Sequence, residues 1–140
     1  MKKLFLLTFV FMALLIFQAE AQISAGIQRL TSDTFVTIGS DPDNKMFGEA
    51  RIATGRYIGL EGTFGYNFIQ RNEVNFYSGF HIGVDSDRDR DLYLGIPLGL
   101  FVKPFNTQNF GFTLEASPIF PTGRPGNYLR AGIGLKYAFR

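Results

Sequence analysis

The single histidine of this chain, and the serines that could act with it, are its best candidates for chemistry. His81 falls in an alternating run of apolar and small residues, beside Tyr77 and Gly79. A histidine that serves as general base in an acyltransferase or lipase needs a serine and an acid within reach. Ser86 and Ser117 are available, but no GxSxG nucleophile motif stands in the sequence. We therefore expect a hydrogen-bonded structural histidine, with catalysis as the alternative.

The segment DSDRDRD, residues 85–91, carries four aspartates at alternate positions, as calcium-binding loops do. Such a loop needs glycine at its sixth position and glutamate at its twelfth, where this chain has Arg90 and Ile96. Arg88 and Arg90 also supply counter-charges to the aspartates. The sequence predicts a solvated, self-neutralising surface loop. We expect no metal site and no cofactor.

The first 21 residues have the layout of a secretory signal peptide. Lys2 and Lys3 precede an apolar run over residues 4–17, and Ala19-Glu20-Ala21 is a small-x-small cleavage site. The run is shorter than the roughly 20 residues of a spanning helix. We predict cleavage after Ala21 and one mature domain, residues 22–140. Because the chain has no cysteine, disulfides, thiol ligands and lipid attachment through cysteine are excluded.

The net charge and the hydrophobic pattern of the mature chain indicate its fold class and one kind of partner that it lacks. Removing Lys2, Lys3 and Glu20 from 14 basic and 12 acidic residues leaves 12 and 11, so no basic surface for nucleic acid is expected. Apolar residues recur with a period of two rather than 3.6, between breaks rich in Asp, Asn, Pro and Gly. These features predict an all-β protein.

The alternation divides the mature chain into eight predicted strands. Pro97 and Pro118 fall inside two of them and remove hydrogen-bond donors, so we expect β-bulges at both. The segment 34–39 is the least regular, and seven strands is the alternative count. The short connections predict an antiparallel up-and-down meander. The predicted strands are residues 22–30, 34–39, 46–54, 57–68, 73–84, 92–103, 109–119 and 128–139.

The composition of the two strand faces indicates which one lies inside a barrel. A soluble barrel needs a charged exterior, but the polar positions here are mostly Gly, Ser, Thr, Asn and Tyr. Few charges lie mid-strand, in equal numbers of each sign, and they can pair in a confined lumen with His81 beside them. The opposite face is almost continuous Leu, Ile, Val and Phe. We therefore predict a transmembrane barrel with its apolar face toward lipid. The predicted lumen network is Glu49, Arg51, Glu61, His81, Glu115, Arg130 and Lys136.

Three C-terminal segments carry a resemblance to a known group. YLGIPLGLFVKPF, FGFTLEASPIF and LRAGIGLKYAFR resemble the last three strands of small outer-membrane β-barrels of the OmpX/OmpA-barrel type, as found in Bacteroidetes. The likeness is good over residues 57–140 and weak over residues 22–56. Gly134, Tyr137 and Phe139 match the C-terminal insertion signal of that group, whereas Gly132, at its polar position, and the final Arg140 depart from it.

The resemblance implies a monomer in the outer membrane of a Gram-negative bacterium, inserted by the barrel-assembly machinery and surrounded by membrane lipids and lipopolysaccharide. Eight-stranded barrels have lumens filled with side chains, so the expected role is structural or surface interaction and not that of an enzyme. In that role, the loop 85–91 would contact lipopolysaccharide phosphates and their bridging cations. Two alternatives stay open, namely a barrel enzyme acting on membrane lipids and a soluble secreted lipocalin-like carrier.

Overall fold

The computed structural model describes residue 8 and residues 22–55, 58–84, 92–123 and 125–140. The predicted signal peptide, apart from residue 8, and the acidic segment 85–91 with Ser86 lie outside the described residues. No helix among the described residues is long and apolar enough to cross a membrane.

The described chain consists of nine β-strands and one short 3-10 turn, Pro104–Asn106, between the seventh and eighth strands. The least regular predicted segment, 34–39, is a strand, so the count of seven is wrong. The strands are β1 Ile23–Leu30, β2 Thr34–Ser40, β3 Met46–Ala53, β4 Leu60–Gln70, β5 Val74–Val84, β6 Leu92–Gly95, β7 Leu98–Val102, β8 Phe110–Pro121 and β9 Tyr128–Phe139.

The strands form a closed antiparallel barrel with eight strand positions. Strands consecutive in the chain pair with each other, except β6 with β7, and β1 also pairs with β9, which closes the sheet. Strands β6 and β7 share one position, because both lie between β5 and β8. The predicted eight-stranded up-and-down barrel is confirmed. Closure leaves no unpaired edge strand among those that the structure describes.

Pro97 interrupts a strand without adding a residue to it. Gly95 pairs with Ile119, and Leu98 pairs with Ala116, so the register to β8 is the same on both sides of the break. Pro118 lies within continuous β8 and pairs with Leu129. The predicted bulges at Pro97 and Pro118 are therefore wrong. The carbonyl of Pro97 accepts a hydrogen bond of 2.9 Å from the Ser78 hydroxyl, so this carbonyl is satisfied where the strand is interrupted.

A bulge occurs at Phe68, where the sequence pattern gave no signal. Asn67 pairs with Tyr77, but Ile69 pairs with Phe76, so one residue of β4 has no partner on β5. The extra residue places both Phe68 and Ile69 on the exposed side of the sheet. As a result, two consecutive apolar side chains face outward near the C-terminal end of β4.

The two faces of the barrel have the predicted polarity. Along β9, Ile133, Leu135, Tyr137 and Phe139 are exposed, while Gly134, Lys136 and Ala138 between them are buried. The other long strands follow the same rule, with Leu, Ile and Phe outward and polar side chains inward. A soluble protein buries such residues, so this surface is suited to hydrocarbon.

Candidate functional site

The lumen holds a buried group of ionisable side chains, here called the central charge network. It comprises all seven residues of the predicted network, three acids, three bases and one histidine, and each is at most 7% exposed. Interior positions alternate along every strand. At least one member of the network therefore comes from each of five strands, which are β3, β4, β5, β8 and β9. The members are Glu49, Arg51, Glu61, His81, Glu115, Arg130 and Lys136.

Arg51 lies at the centre of this network and contacts all three of its acids. Its Nη1 and Nη2 donate to the two carboxylate oxygens of Glu115, each at 2.8 Å. Its Nε donates to Glu49 at 2.5 Å, and Nη1 also donates to Glu61 at 3.2 Å. The planar guanidinium suits this bidentate arrangement. Glu49 in turn accepts a short hydrogen bond from Lys136.

Two of the ion pairs cross the full width of the barrel. Strand β3, which carries Arg51, and β8, which carries Glu115, are four positions apart around the eight-position barrel. The same separation holds for β4 and β9, which carry Glu61 and Arg130, joined at 2.7 Å. Side chains from opposite walls thus meet in the middle of the lumen, and little room is left between the walls at this level.

Tyrosines add hydrogen bonds to two of the three acids. Tyr77 donates to Glu115 at 2.6 Å, and Tyr93 donates to Glu61 at 2.5 Å. With these bonds, each carboxylate has the several donors that a buried charge needs. The tyrosine rings also fill volume, since Tyr77 packs edge-on against Phe47 with ring centroids 5.3 Å apart.

His81 bridges two of the acids and two hydroxyl groups. Its Nδ1 lies 2.7 Å from the Thr63 hydroxyl and 3.2 Å from Glu61. Its Nε2 lies 3.0 Å from the Ser117 hydroxyl and 3.3 Å from Glu115. Serine, histidine and acid are therefore adjacent, in the order that nucleophilic catalysis uses. All of them are buried, so a substrate has no direct access to the serine.

A second charged group closes one end of the barrel, where the chain enters β1 and leaves β9. We call this end the N-terminal mouth and the group, Asp41, Asp43, Lys103 and Arg140, the mouth clasp. Arg140 donates to Asp41 at 2.8 Å and 3.0 Å, and Lys103 donates to Asp43 at 2.6 Å. The clasp borders a polar cavity of about 630 Å³.

The electrostatics of the mouth clasp favour its charged state. Burial opposes ionisation of Asp43, but hydrogen bonds from Lys103 and Asn75, with the charges of Lys103 and Arg140, hold its pKa below the ordinary value. Burial also acts to lower the pKa of Arg140, but its bonds and charge interactions with Asp41 and Asp43 outweigh it and raise that pKa. Asp43 and Arg140 are therefore charged at neutral pH.

Solved structures share this architecture. The N-terminal β-barrel domain of Pseudomonas aeruginosa OprF superposes with a TM-score of 0.58 over 84% of this chain and 96% of that domain, at 18% identity. A de novo designed transmembrane β-barrel gives a TM-score of 0.56 over 87% of this chain and 98% of the design, at 11% identity. The chain has the fold of an outer-membrane β-barrel. No protein-family model matches the sequence, and no curated protein does.

The three residues of the resembled insertion signal lie on the last strand of this outer-membrane-type barrel. Gly134 faces the lumen, whereas Tyr137 and Phe139 face outward, with ring centroids 5.0 Å apart. Arg140, which departs from the signal, belongs to the mouth clasp. The aromatic side chains are thus presented on the surface, where another protein can reach them, and their role in assembly stays a prediction.

Sequence reasoning named Ser117 as an available partner of His81 but missed the Thr63 hydroxyl and the mouth clasp. Asp41 and Asp43 lie in the turn before β3, and Arg140 follows β9, so no periodic pattern links them. A usable signal existed, because the meander puts these segments at the same end of the barrel. Within the described residues, no group of His, Asp and Glu side chains is arranged to bind a metal ion.

Proposed function

We propose that this protein is a small outer-membrane barrel with a packed, non-conducting lumen, and that it acts as a structural or surface-interaction protein. The observation that carries the proposal is the pair of ion pairs, Arg51 with Glu115 and Arg130 with Glu61, that crosses the lumen from wall to wall. Ions passing the barrel would have to separate these buried charges, which are costly to leave unpaired.

The outer surface supports the proposed location in the outer membrane of a Gram-negative bacterium. Leu and Ile side chains cover it between the two ends, and aromatic side chains lie near the strand termini, as in membrane barrels. Membrane lipids and lipopolysaccharide would be its neighbours, and the barrel-assembly machinery would insert it. A lipocalin-like carrier has the reverse polarity, since it needs an apolar lumen. The charged lumen therefore argues against that alternative.

Planar-bilayer recording tests the closed lumen. The refolded protein, added to a lipid bilayer at neutral pH, is expected to leave the conductance at its background level. The matched control is Ile133→Val, which changes only the outer surface. Reproducible single-channel steps from the parent protein, absent from a mock preparation, would overturn the non-conducting lumen.

A lipid-active enzyme is the second candidate, because Ser117, His81 and Glu61 are adjacent. Burial of the serine and competition from Thr63 for His81 Nδ1 weigh against it. A fluorophosphonate probe, which labels activated serines, is expected to leave the folded protein unlabelled. Labelling that Ser117→Ala abolishes would place the enzyme first.

A further inference from the structure

Phe105 is the most exposed large apolar side chain of the described residues, with 97% of its surface accessible. It lies in the 3-10 turn Pro104–Asn106 between β7 and β8, at the N-terminal mouth. A phenylalanine side chain at the tip of a turn gains none of the stabilisation that comes from burying apolar surface. Within the protein itself, the ring therefore has no packing role.

The backbone of Phe105 is also unfavourable for its residue type. Its φ is +57°, in the left-handed region, and among the described residues other than glycine it alone has a positive φ. Glycine and asparagine adopt this region easily, whereas a phenylalanine clashes with its own backbone there. Glycine would adopt the backbone conformation of this turn at a lower cost than phenylalanine does. The presence of the ring is therefore better explained by a contact outside the chain.

The outer surface beside this turn indicates what that contact is. Outward aromatic side chains from several strands surround the N-terminal mouth, and some of them touch. Rings of Phe110 and Phe112 are 5.2 Å apart, and those of Phe68 and Phe76 are 6.3 Å apart. Bands of this kind mark the boundary between acyl chains and headgroups. Phe105 continues the band one step further from the membrane centre.

The length of the turn sets the depth of Phe105. Phe105 is only three positions beyond Val102, the last residue of β7, which pairs with Phe112. At about 3.3 Å per residue, and with strands tilted by about 40°, this spans at most about 8 Å along the membrane normal. The headgroup layer is itself about 5–8 Å thick. Because Phe112 belongs to the aromatic band that marks the edge of the hydrocarbon, a ring at Phe105 falls within the headgroup layer.

We propose that Phe105 is an interfacial anchor that inserts its ring among the lipid headgroups of the leaflet at the N-terminal mouth. This inference rests on the proposed membrane function. The occupant is the lipid surface because the turn continues the outward aromatic band. A water-exposed ring, or one held for a partner protein, is the competing outcome.

The absence of tryptophan from the chain provides a direct test. Phe105→Trp and Phe80→Trp each create a sole tryptophan, the second at a mid-strand outward position of β5 that is 51% exposed. Both variants are refolded into phosphatidylcholine vesicles whose lipids carry bromine, a quencher, either near the headgroup or near the chain end. Emission spectra are compared with those of the same variants unfolded in urea.

The two variants separate this proposal from the membrane function itself. We expect blue-shifted emission from Phe105→Trp, quenched by the shallow bromines more than by the deep ones, and the reverse depth order for Phe80→Trp. If Phe80→Trp is quenched but Phe105→Trp emits as in water and is not quenched, the anchor is wrong and the barrel stands. Equal depth profiles for the two variants would also overturn the anchor. If neither variant is quenched, the anchor and the membrane barrel are both overturned.

Discussion

Arg51 and Glu115 project from opposite walls of the barrel and meet in the middle of its lumen through two hydrogen bonds of 2.8 Å. Their strands, β3 and β8, have no contact through the sheet and are four positions apart. The ion pair is thus a brace across the lumen. Buried ion pairs of this kind contribute little when intact, but they are costly to break on one side only.

Breaking this brace on one side is expected to destabilise the barrel strongly. Arg51→Met leaves three buried acids with two buried bases, and it should lower the free energy of unfolding by about 3–5 kcal/mol. Adding Glu115→Gln restores the balance of charge and should recover a substantial part of the loss. Urea titration in detergent micelles measures both variants. Equal stability of Arg51→Met and the parent would show that these charges are not paired in a dry lumen.

Gly134 should not tolerate a large side chain. It faces the lumen, and a Cβ at this position would lie 2.6 Å from the Thr113 hydroxyl and 3.0 Å from the carbonyl oxygen of Ile27. Overpacking by Gly134→Leu should therefore cost about 1–3 kcal/mol. On the wet exterior of a soluble barrel, the same change would be neutral or mildly favourable.

The neighbouring residue provides the control for Gly134. Ile133 faces outward, so Ile133→Leu should leave the urea midpoint unchanged, whereas Ile133→Arg should cost about 2–4 kcal/mol near the membrane midplane. A Gly134→Leu variant as stable as the parent would contradict the assignment of faces.

His81 is expected to matter for stability and not for chemistry on lipids. His81→Ala removes the partner of the Thr63 and Ser117 hydroxyls and should cost about 1–3 kcal/mol. Phospholipase and acyl-transfer assays should give the same background for parent and variant. A lipid turnover that the parent shows and His81→Ala loses would contradict this expectation.

The mouth clasp should make stability fall in acid. Because the pKa of Asp43 is lowered in the folded protein, its contribution is fully present above the ordinary aspartate pKa. That contribution is lost as the pH falls below about 4 and through the folded pKa. The clasp is partly exposed, so the effect should be at most about 1 kcal/mol. Urea midpoints of the parent and of Asp43→Asn, measured between neutral pH and acid, should converge. Parallel curves would show that Asp43 does not contribute.

The alternation along the chain, as at Ile133 and Gly134, was enough to predict the strands and the barrel, and the small and uncharged residues at the polar positions predicted the side that faces lipid. It works because a strand places successive side chains on opposite faces, whatever the rest of the fold does. Which side chains pair with each other could not be predicted in this way. The pairing depends on the stagger between strands, which the sequence of a single strand does not show. Arg140 and Asp41 are separated by 99 residues in the chain, and only closure of β1 on β9 brings them together. The bulge at Phe68 is likewise a feature of the pairing of β4 with β5, and the alternation of β4 alone does not predict it.

The central claim is that the apolar face meets lipid and the charged face fills the lumen, and isoleucine methyl NMR tests it most directly. Ile133 is 62% exposed on the outer surface, and Ile119, which faces the lumen, is 0% exposed. With spin-labelled lipid in the micelle, the methyl signal of Ile133 should be broadened while that of Ile119 stays sharp. A water-soluble gadolinium chelate should broaden neither. Broadening of Ile133 by the chelate and not by the lipid label would contradict the account.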